Sequence, residues 1–447
     1  MAKKAALTKK EAPAKKKAAS KKTTLVKKTT SAKKGALPKK SALAEKAERT
    51  KKVPQVKKTA SNLAITRSLL NLPVLVIAGE HSGDRLGADL VHEMKQTGFR
   101  NFFGTGGELM QQQGVELVEH VDVMAVMGFA EVLGAYLRLK RLAKKIVALV
   151  QEKQTKIVVL IDYPGFNLRL AAMLKEADAE IKIIYLVSPQ IWAWKYNRIH
   201  TIRKNVDLML TLFEFEKDMY EKESVRSEWI GHPLIDRIDR EWKGKKPVAT
   251  KGRSLAVLPG SRRGEVAMLL PTFIEAVRIL KHKYPHLTVK LPFVDERLHD
   301  FARPMIDDEL QIDVSIGDAL TVMQSSEVVL IASGTATLEA AYLKRPMVIC
   351  YKSKWLNVVI ASLVMRTKFI GLPNLLADEQ VAIELLQTEV TAENIVNEIE
   401  RLLSGKAERN RISTRLGSIR FAPKRGRPAK HAALALMRYL QQTQSSK

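Results

Sequence analysis

Pro73-Val-Leu-Val-Ile-Ala-Gly-Glu-His-Ser-Gly-Asp84 begins as an unbroken apolar run and ends on a Gly/Ser turn that feeds a helical stretch over residues 85–96. An apolar run without polar alternation reads as a strand buried on both faces, the signature of a parallel sheet. Runs of the same kind recur at residues 157–162, 181–187 and 207–211, with helical stretches between them, notably 134–154 and 166–175. Strand and helix in alternation predict an open, doubly wound α/β sheet. A charged stretch, 236–253, interrupts the pattern and reads as an interdomain linker. A second series follows, with strands expected at 254–258, 288–293, 311–315, 328–332 and 347–351 and helices at 266–282 and 335–343. No internal repeat is visible, which argues against a solenoid. The expectation is an α/β fold of two Rossmann-like domains, 71–240 and 241–420, facing a central cleft, with a closing helix in 421–447 that packs back on the first domain.

The composition agrees with two cores: the chain has 447 residues and is 46% hydrophobic,. Its net charge of +28 is unevenly spread, because residues 1–70 hold 22 Lys and Arg against 3 Asp and Glu. That segment is Lys-Lys pairs spaced by Ala, Thr, Ser and Pro; with so little to bury it is expected to be a disordered tail. A polycation attracts anionic lipid or nucleic acid, and charge alone does not choose between them. Cys350 is the single cysteine, which excludes an intramolecular disulfide and a Cys-cluster metal site,. No run of about 18 uncharged apolar residues appears, nor an apolar block near the N-terminus, so a cytoplasmic location is expected.

Four turns carry candidate chemistry. Gly79-Glu-His-Ser-Gly-Asp84 joins a strand to a helix, where a phosphate or sugar can approach backbone N–H groups; a tight turn capped by Asp84 is the competing reading,. It lacks G-x-G-x-x-G, and Phe103-Gly-Thr-Gly-Gly107 does not supply that pattern, so a nicotinamide dehydrogenase loses support,. Asp162 closes a strand and precedes Tyr163-Pro-Gly-Phe-Asn167, where a carboxylate could take the proton of an attacking hydroxyl or simply cap a helix,. Leu258-Pro-Gly-Ser-Arg-Arg-Gly-Glu265 pairs small residues with Arg262 and Arg263, a plausible diphosphate clamp that is not a Walker loop,. Ser333-Gly-Thr-Ala-Thr-Leu-Glu-Ala340 offers hydroxyls and N–H groups, with Glu339 one turn on and within reach of a ribose diol,.

Taken in order, the chain resembles the lipid-A-disaccharide synthase family of GT-B-type glycosyltransferases from about residue 73 to 387. The motifs are G-E-H-S-G-D (79–84), A-V-M-G-F-A-E-V-L (125–133), I-D-Y-P-G-F-N (161–167), S-P-Q-I-W-A-W-K (188–195), I-G-H-P-L (230–234), L-P-G-S-R-R-G-E-V (258–266), A-S-G-T-A-T-L-E (332–339) and L-P-N-L-L-A (372–377). The resemblance implies transfer, with inversion, of a 2,3-diacylglucosamine unit from UDP-2,3-diacylglucosamine to the 6-hydroxyl of 2,3-diacylglucosamine 1-phosphate. By the family's pattern Asp162 would be the base and Arg262 the diphosphate contact, while Ser333, Gly334, Thr335, Glu339 and Asn374 would line the UDP pocket. Gly79, Glu80, Ser82, Gly83, Asp84, Ser188, Gly260 and Ser261 are the other expected substrate contacts. No cofactor or metal is implied. Gly165 stands where many relatives carry a second acid, and residues 1–70 have no counterpart in the family pattern. His232, within I-G-H-P-L, is expected at a hinge or in the core.

Acylated substrates imply a site bordering an apolar, basic surface at the cytoplasmic face of the inner membrane. Residues 123–137, followed by Arg138, Lys140, Arg141, Lys144 and Lys145, have the composition of an interfacial segment,. Trp192, Trp194 and Lys195 repeat the combination, as do Lys352, Lys354, Trp355 and residues 358–365. Other UDP-N-acetylglucosamine enzymes of this fold are the nearest rival reading. Nucleic-acid binding is a more distant one, resting on the tail and on Lys424-Arg-Gly-Arg-Pro428, where Pro428 equally suits the first turn of a helix,.

Overall fold

The computed structural model describes residues 70–124, 132–242, 252–353, 367–423 and 427–445. The basic tail, most of the 125–133 motif, residues 243–251 of the expected linker, Lys354, Trp355, the 358–365 run and residues 424–426 lie outside the described residues.

Two parallel sheets organise the chain. The first comprises β1 (Val74–Ala78), β2 (Phe102–Gly106), β3 (Glu116–His120), β4 (Ile157–Ile161), β5 (Lys182–Leu186), β6 (Leu208–Thr211) and β7 (Ser227–Trp229), ordered β3-β2-β1-β4-β5-β6-β7. The second comprises β8 (Ser254–Leu258), β9 (Thr288–Phe293), β10 (Asp313–Ile316), β11 (Val328–Ala332), β12 (Met347–Tyr351) and β13 (Ile383–Leu386), ordered β10-β9-β8-β11-β12-β13. The central strands are wholly buried: VLVIA in β1 and IVVLI in β4 read the same on both faces because helices cover both,. Strand order reverses between β1 and β4 in one sheet and between β8 and β11 in the other, and each reversal opens a crevice beyond the strands' carboxyl ends,. All four candidate turns leave these strands.

Nine helices matter below: α1 (His81–Gln96), α2 (Glu108–Gln112), α3 (Val132–Glu152), α4 (Pro164–Ala177), α5 (Glu214–Lys222), α6 (Pro233–Trp242), α7 (Arg263–Lys283), α8 (Ala336–Tyr342) and α9 (Pro428–Ser445). The linker expected at 236–253 is corrected over its first residues. They belong to α6, whose Leu234 and Ile235, with Ile238 one turn on, enter the core of the second sheet. The dense charge of its outer face hid that stripe. From α6 onward the chain builds the second sheet. It then returns past His232, whose N–H donates to Phe421 O at 3.1 Å, to form α9. Ala432, Leu436, Tyr439 and Leu440 of α9 pack into the same core as Val74, Val76 and Ile161.

Four strands have no counterpart in the sequence reading: β2, β3, β7 and β13. β2 reads as a loop because it is Phe-Phe-Gly-Thr-Gly, yet the glycine is what the pairing with β1 needs. Gly104 has φ +152, and a Cβ there would stand 1.8 Å from Val76 O,. β3 and β7 are edge strands, where charged residues replace the apolar run,.

Candidate functional site

At the carboxyl edge of the first sheet, Asp162 and Tyr163 take left-handed backbone conformations in succession, φ 45 and 47. Tyr163 precedes Pro164, whose ring disfavours the right-handed helical region for the residue before it,. Each such residue costs on the order of 1–2 kcal/mol, so neighbours must hold it. Asn167 Nδ2 donates to the carbonyls of Ile161 at 3.1 Å and Asp162 at 2.8 Å, while the Tyr185 hydroxyl donates to Asp162 O at 2.6 Å. The Tyr163 hydroxyl donates to Met124 O at 3.0 Å. Val187, just past β5, has φ 70, strained for a β-branched residue,. The clamps leave the Asp162 carboxylate half-buried, and burial, assisted by Glu80, raises its pKa.

The turn after β1 is split in function. Glu80 and Ser82 are exposed, whereas Gly79 packs against the Tyr163 ring, Gly83 is buried, and Asp84 turns inward. Asp84 accepts from the N–H groups of Gly107 at 2.7 Å, Leu109 at 3.1 Å and Met110 at 3.0 Å, so it caps α2 and is only 3% exposed. The expected substrate contact at Asp84 is therefore corrected to a structural cap. Ser188 is likewise buried, beside Glu216. Glu216 is fully enclosed: it accepts from Trp192 Nε1 at 3.0 Å and from the N–H groups of Leu212 and Phe213, and burial pushes its pKa up to about 7. Trp192 then meets Phe215 edge-on, Phe215 stacks on Phe213, and Phe213 on His232. His232 Nδ1 accepts from Leu234 N at 3.1 Å, and burial beside Arg237 lowers its pKa to about 4.

The second sheet presents a cavity of about 690 Å³ at its carboxyl edge. Gly260, Ser261 and Arg262 line it together with Ser333, Gly334, Thr335, Glu339, Phe293, Val294 and Asp318. α6 closes it with Leu234, Arg237, Glu241 and Trp242. The Arg237 guanidinium donates to Glu339 Oε1. Burial raises the Glu339 pKa, and Arg237 opposes that rise. Arg262 Nη1 donates to Glu265 Oε1 at 2.8 Å, and Ser261 N–H donates to Glu265 Oε2 at 2.9 Å.

Of the expected contacts, Gly260, Ser261, Arg262, Ser333, Gly334, Thr335 and Glu339 line this one cavity. Asn374 does not line it. Its Nδ2 donates to Ala382 O and Glu384, its Oδ1 accepts from Val381 and Ala382 N–H, and it is wholly buried, which corrects the expected nucleotide contact. Neither Asp162 nor residues 79–84 line this cavity, so the convergence expected of the two halves is not met within it. Tyr163 instead borders a cavity of about 340 Å³ between α3 and α4, with Tyr136, Leu139, Lys140, Gly165, Phe166 and Arg169. A Cβ at Gly165 would meet nothing within 4 Å. Tyr136, Leu137 and Trp194 are exposed, Trp194 with Lys195 Nζ 4.3 Å from its ring centre. Arg237, Glu265 and Glu216 were missed. Arg237 sat in the presumed linker, and Glu265, inside a quoted motif, has a role set by its fold-back.

Among the described residues, no group of three or more His, Cys, Asp or Glu side chains could hold a metal, and no helix is long and apolar enough to cross a membrane. Within Lys424-Arg-Gly-Arg-Pro428, Arg427 lies 3.4 Å from Glu93 and Pro428 opens α9.

Solved structures with similar folds include a putative UDP-N-acetylglucosamine 2-epimerase from Listeria monocytogenes (TM-score 0.54, 12% identity, 84% of this chain and 98% of that one). The glycotransferase of kitacinnamycin is similar at TM-score 0.55 and 14% identity, over 83% and 99% of the two chains. At these identities the likeness shows the two-domain fold and nothing finer. The lipid-A-disaccharide synthase of Alcanivorax borkumensis is 38% identical over 82% of this chain and 97% of its own length. That of Coxiella burnetii is 36% identical over 81% and 97%. With the lipid-A-disaccharide synthetase family model matching residues 74–433 as well, the chain belongs to the lipid-A-disaccharide synthase family and is a glycosyltransferase of lipid A biosynthesis.

Proposed function

We propose that the enzyme transfers a 2,3-diacylglucosamine unit from UDP-2,3-diacylglucosamine to the 6-hydroxyl of 2,3-diacylglucosamine 1-phosphate, inverting the anomeric carbon and releasing UDP. The observation that carries the reading is the second-sheet cavity, where Ser261 and Arg262 face Ser333, Thr335 and Glu339. Its volume suits a nucleotide-sized ligand. In this reading Arg262 and the Pro-Gly-Ser turn hold the diphosphate and Glu339 accepts from the ribose diol. The 241–420 half then binds donor and the 71–240 half acceptor.

Asp162 is the proposed base. Its raised proton affinity suits a group that takes the acceptor's proton as the hydroxyl attacks,. The proton moves from O6 to the carboxylate, the new C1–O6 bond forms, and the C1–O bond to UDP breaks with its electron pair leaving on phosphate. The base and the donor cavity must approach for transfer, so a closing motion of the two halves belongs to the cycle. The apolar, basic cavity beside Tyr163 favours an acylated acceptor drawn from the cytoplasmic face of the inner membrane, with Lys140 and Arg169 near its anionic head,. Anionic lipid is the proposed partner of the basic tail.

The test is turnover of acylated against unacylated UDP-glucosamine donors with the acylated acceptor. Disaccharide 1-phosphate and UDP should form only from the acylated donor. Epimerisation of an unacylated UDP-sugar, with no transfer, would overturn the proposal.

A further inference from the structure

Glu265 occupies the place where an anion would be held. It is the third residue of α7 and folds back over the Pro-Gly-Ser-Arg turn, so that its two carboxylate oxygens accept from Ser261 N–H at 2.9 Å and from Arg262 Nη1 at 2.8 Å. Those donors are the ones assigned above to the diphosphate. The contact is close because Gly260, at φ +121, leaves room: a Cβ there would stand 2.6 Å from Glu265 Cβ and 2.7 Å from Oε2. Glu265, Ser261 and Arg262 all line the donor cavity.

A carboxylate near a helix start is commonly a cap, and in a capping box the third helical residue reaches the N–H of the N-cap residue. Here the N-cap is Arg262, but Glu265 bonds the N–H of Ser261, one residue earlier, and adds the arginine. We infer that Glu265 is an internal surrogate for the donor's diphosphate, satisfying the anion-binding turn when the cavity is empty and giving way when UDP-sugar enters. The inference rests on the reading of Arg262 as the diphosphate contact. A surrogate matters most at the end of the cycle, because UDP keeps both phosphates after transfer. A carboxylate that competes for the same donors weakens the product's hold and speeds its release. The exchange is inexpensive: the Arg262 side chain is 81% exposed, and ion pairs so exposed are weak,.

The experiment is calorimetric titration of the full-length protein with UDP and, separately, with uridine, which lacks phosphate. Glu265→Gln keeps an oxygen for Ser261 N–H while removing the charge. It should bind UDP about twofold to fivefold more tightly than wild type and uridine no differently. UDP should inhibit turnover of the variant in the same proportion. Glu265→Ala must tighten UDP as well, with folding checked by a thermal melt of the same sample. UDP binding that is unchanged or weaker in both variants overturns the inference, as does equal tightening for uridine. Arg262→Ala separates the two claims: UDP should bind it less tightly, uridine as before. If Arg262→Ala binds UDP as wild type does, the site reading itself fails and takes the inference with it. If it weakens UDP while the Glu265 variants do not tighten it, only the inference fails.

Discussion

Two carboxylates near the candidate site in each half have opposite surroundings. Asp162 and Glu216, in the first half, have no cation within ion-pair distance among the described residues, and burial raises the proton affinity of both. Glu265 and Glu339, in the second half, are each matched by an arginine from their own chain. The first arrangement suits a group that must take up a proton. The second pairs each carboxylate with a donor for which a ligand can compete.

The sharpest break of that contrast is Asp162→Asn. Turnover should fall by about 10²–10⁴-fold, the usual worth of a general base, while UDP affinity stays at the wild-type value because Asp162 does not line the proposed donor cavity,. Full activity would remove Asp162 from the chemistry.

Glu216 sharpens the contrast through stability. Its folded pKa of about 7 lies above the ordinary 4.5, so between these values the folded state binds more protons than the unfolded. Stability contributed by the protonated form is fully present below the unfolded value and is lost as pH rises through the folded one. The total is roughly 3 kcal/mol. Denaturant titrations at pH 5 and pH 8 should show that loss in wild type, and Glu216→Gln should flatten it.

Arg237→Ala tests the paired half. Without the guanidinium, Glu339 keeps the burial that raises its pKa and loses the charge that opposes it, so the carboxylate protonates at higher pH. Glu241, on the same helix, adds to the rise. UDP should then bind more weakly at pH 5.5 than at pH 8, with a smaller ratio in wild type and in Arg237→Lys,. The smallest effect is expected from Tyr163→Phe, which deletes the bond to Met124 O and should cost about 1 kcal/mol in unfolding free energy,.

The central strands were legible because burial on both faces leaves an apolar run that only a parallel sheet explains, and β8, β9, β11 and β12 fall where the sequence puts them. What escaped was set by contacts distant in sequence. Gly104 looks like a loop residue until Val76 O is seen beneath it. Asp84 and Asn374 look like ligand contacts until the N–H groups they accept from are known. Arg237 looked like solvated linker charge because nothing in its own segment announces Glu339, 102 residues on.

The chain passes between the halves twice, once on the way into α6 and again beyond Phe421 toward α9, and the backbone bond from His232 to Phe421 lays the passages side by side. A single connecting thread would let one half tumble about the other in any direction. Two threads laced together restrict any relative movement of the halves to an axis near their common line. The apolar seating of α9 fastens the second thread, so the last helix anchors that passage although it stands far in sequence from the second-sheet cavity.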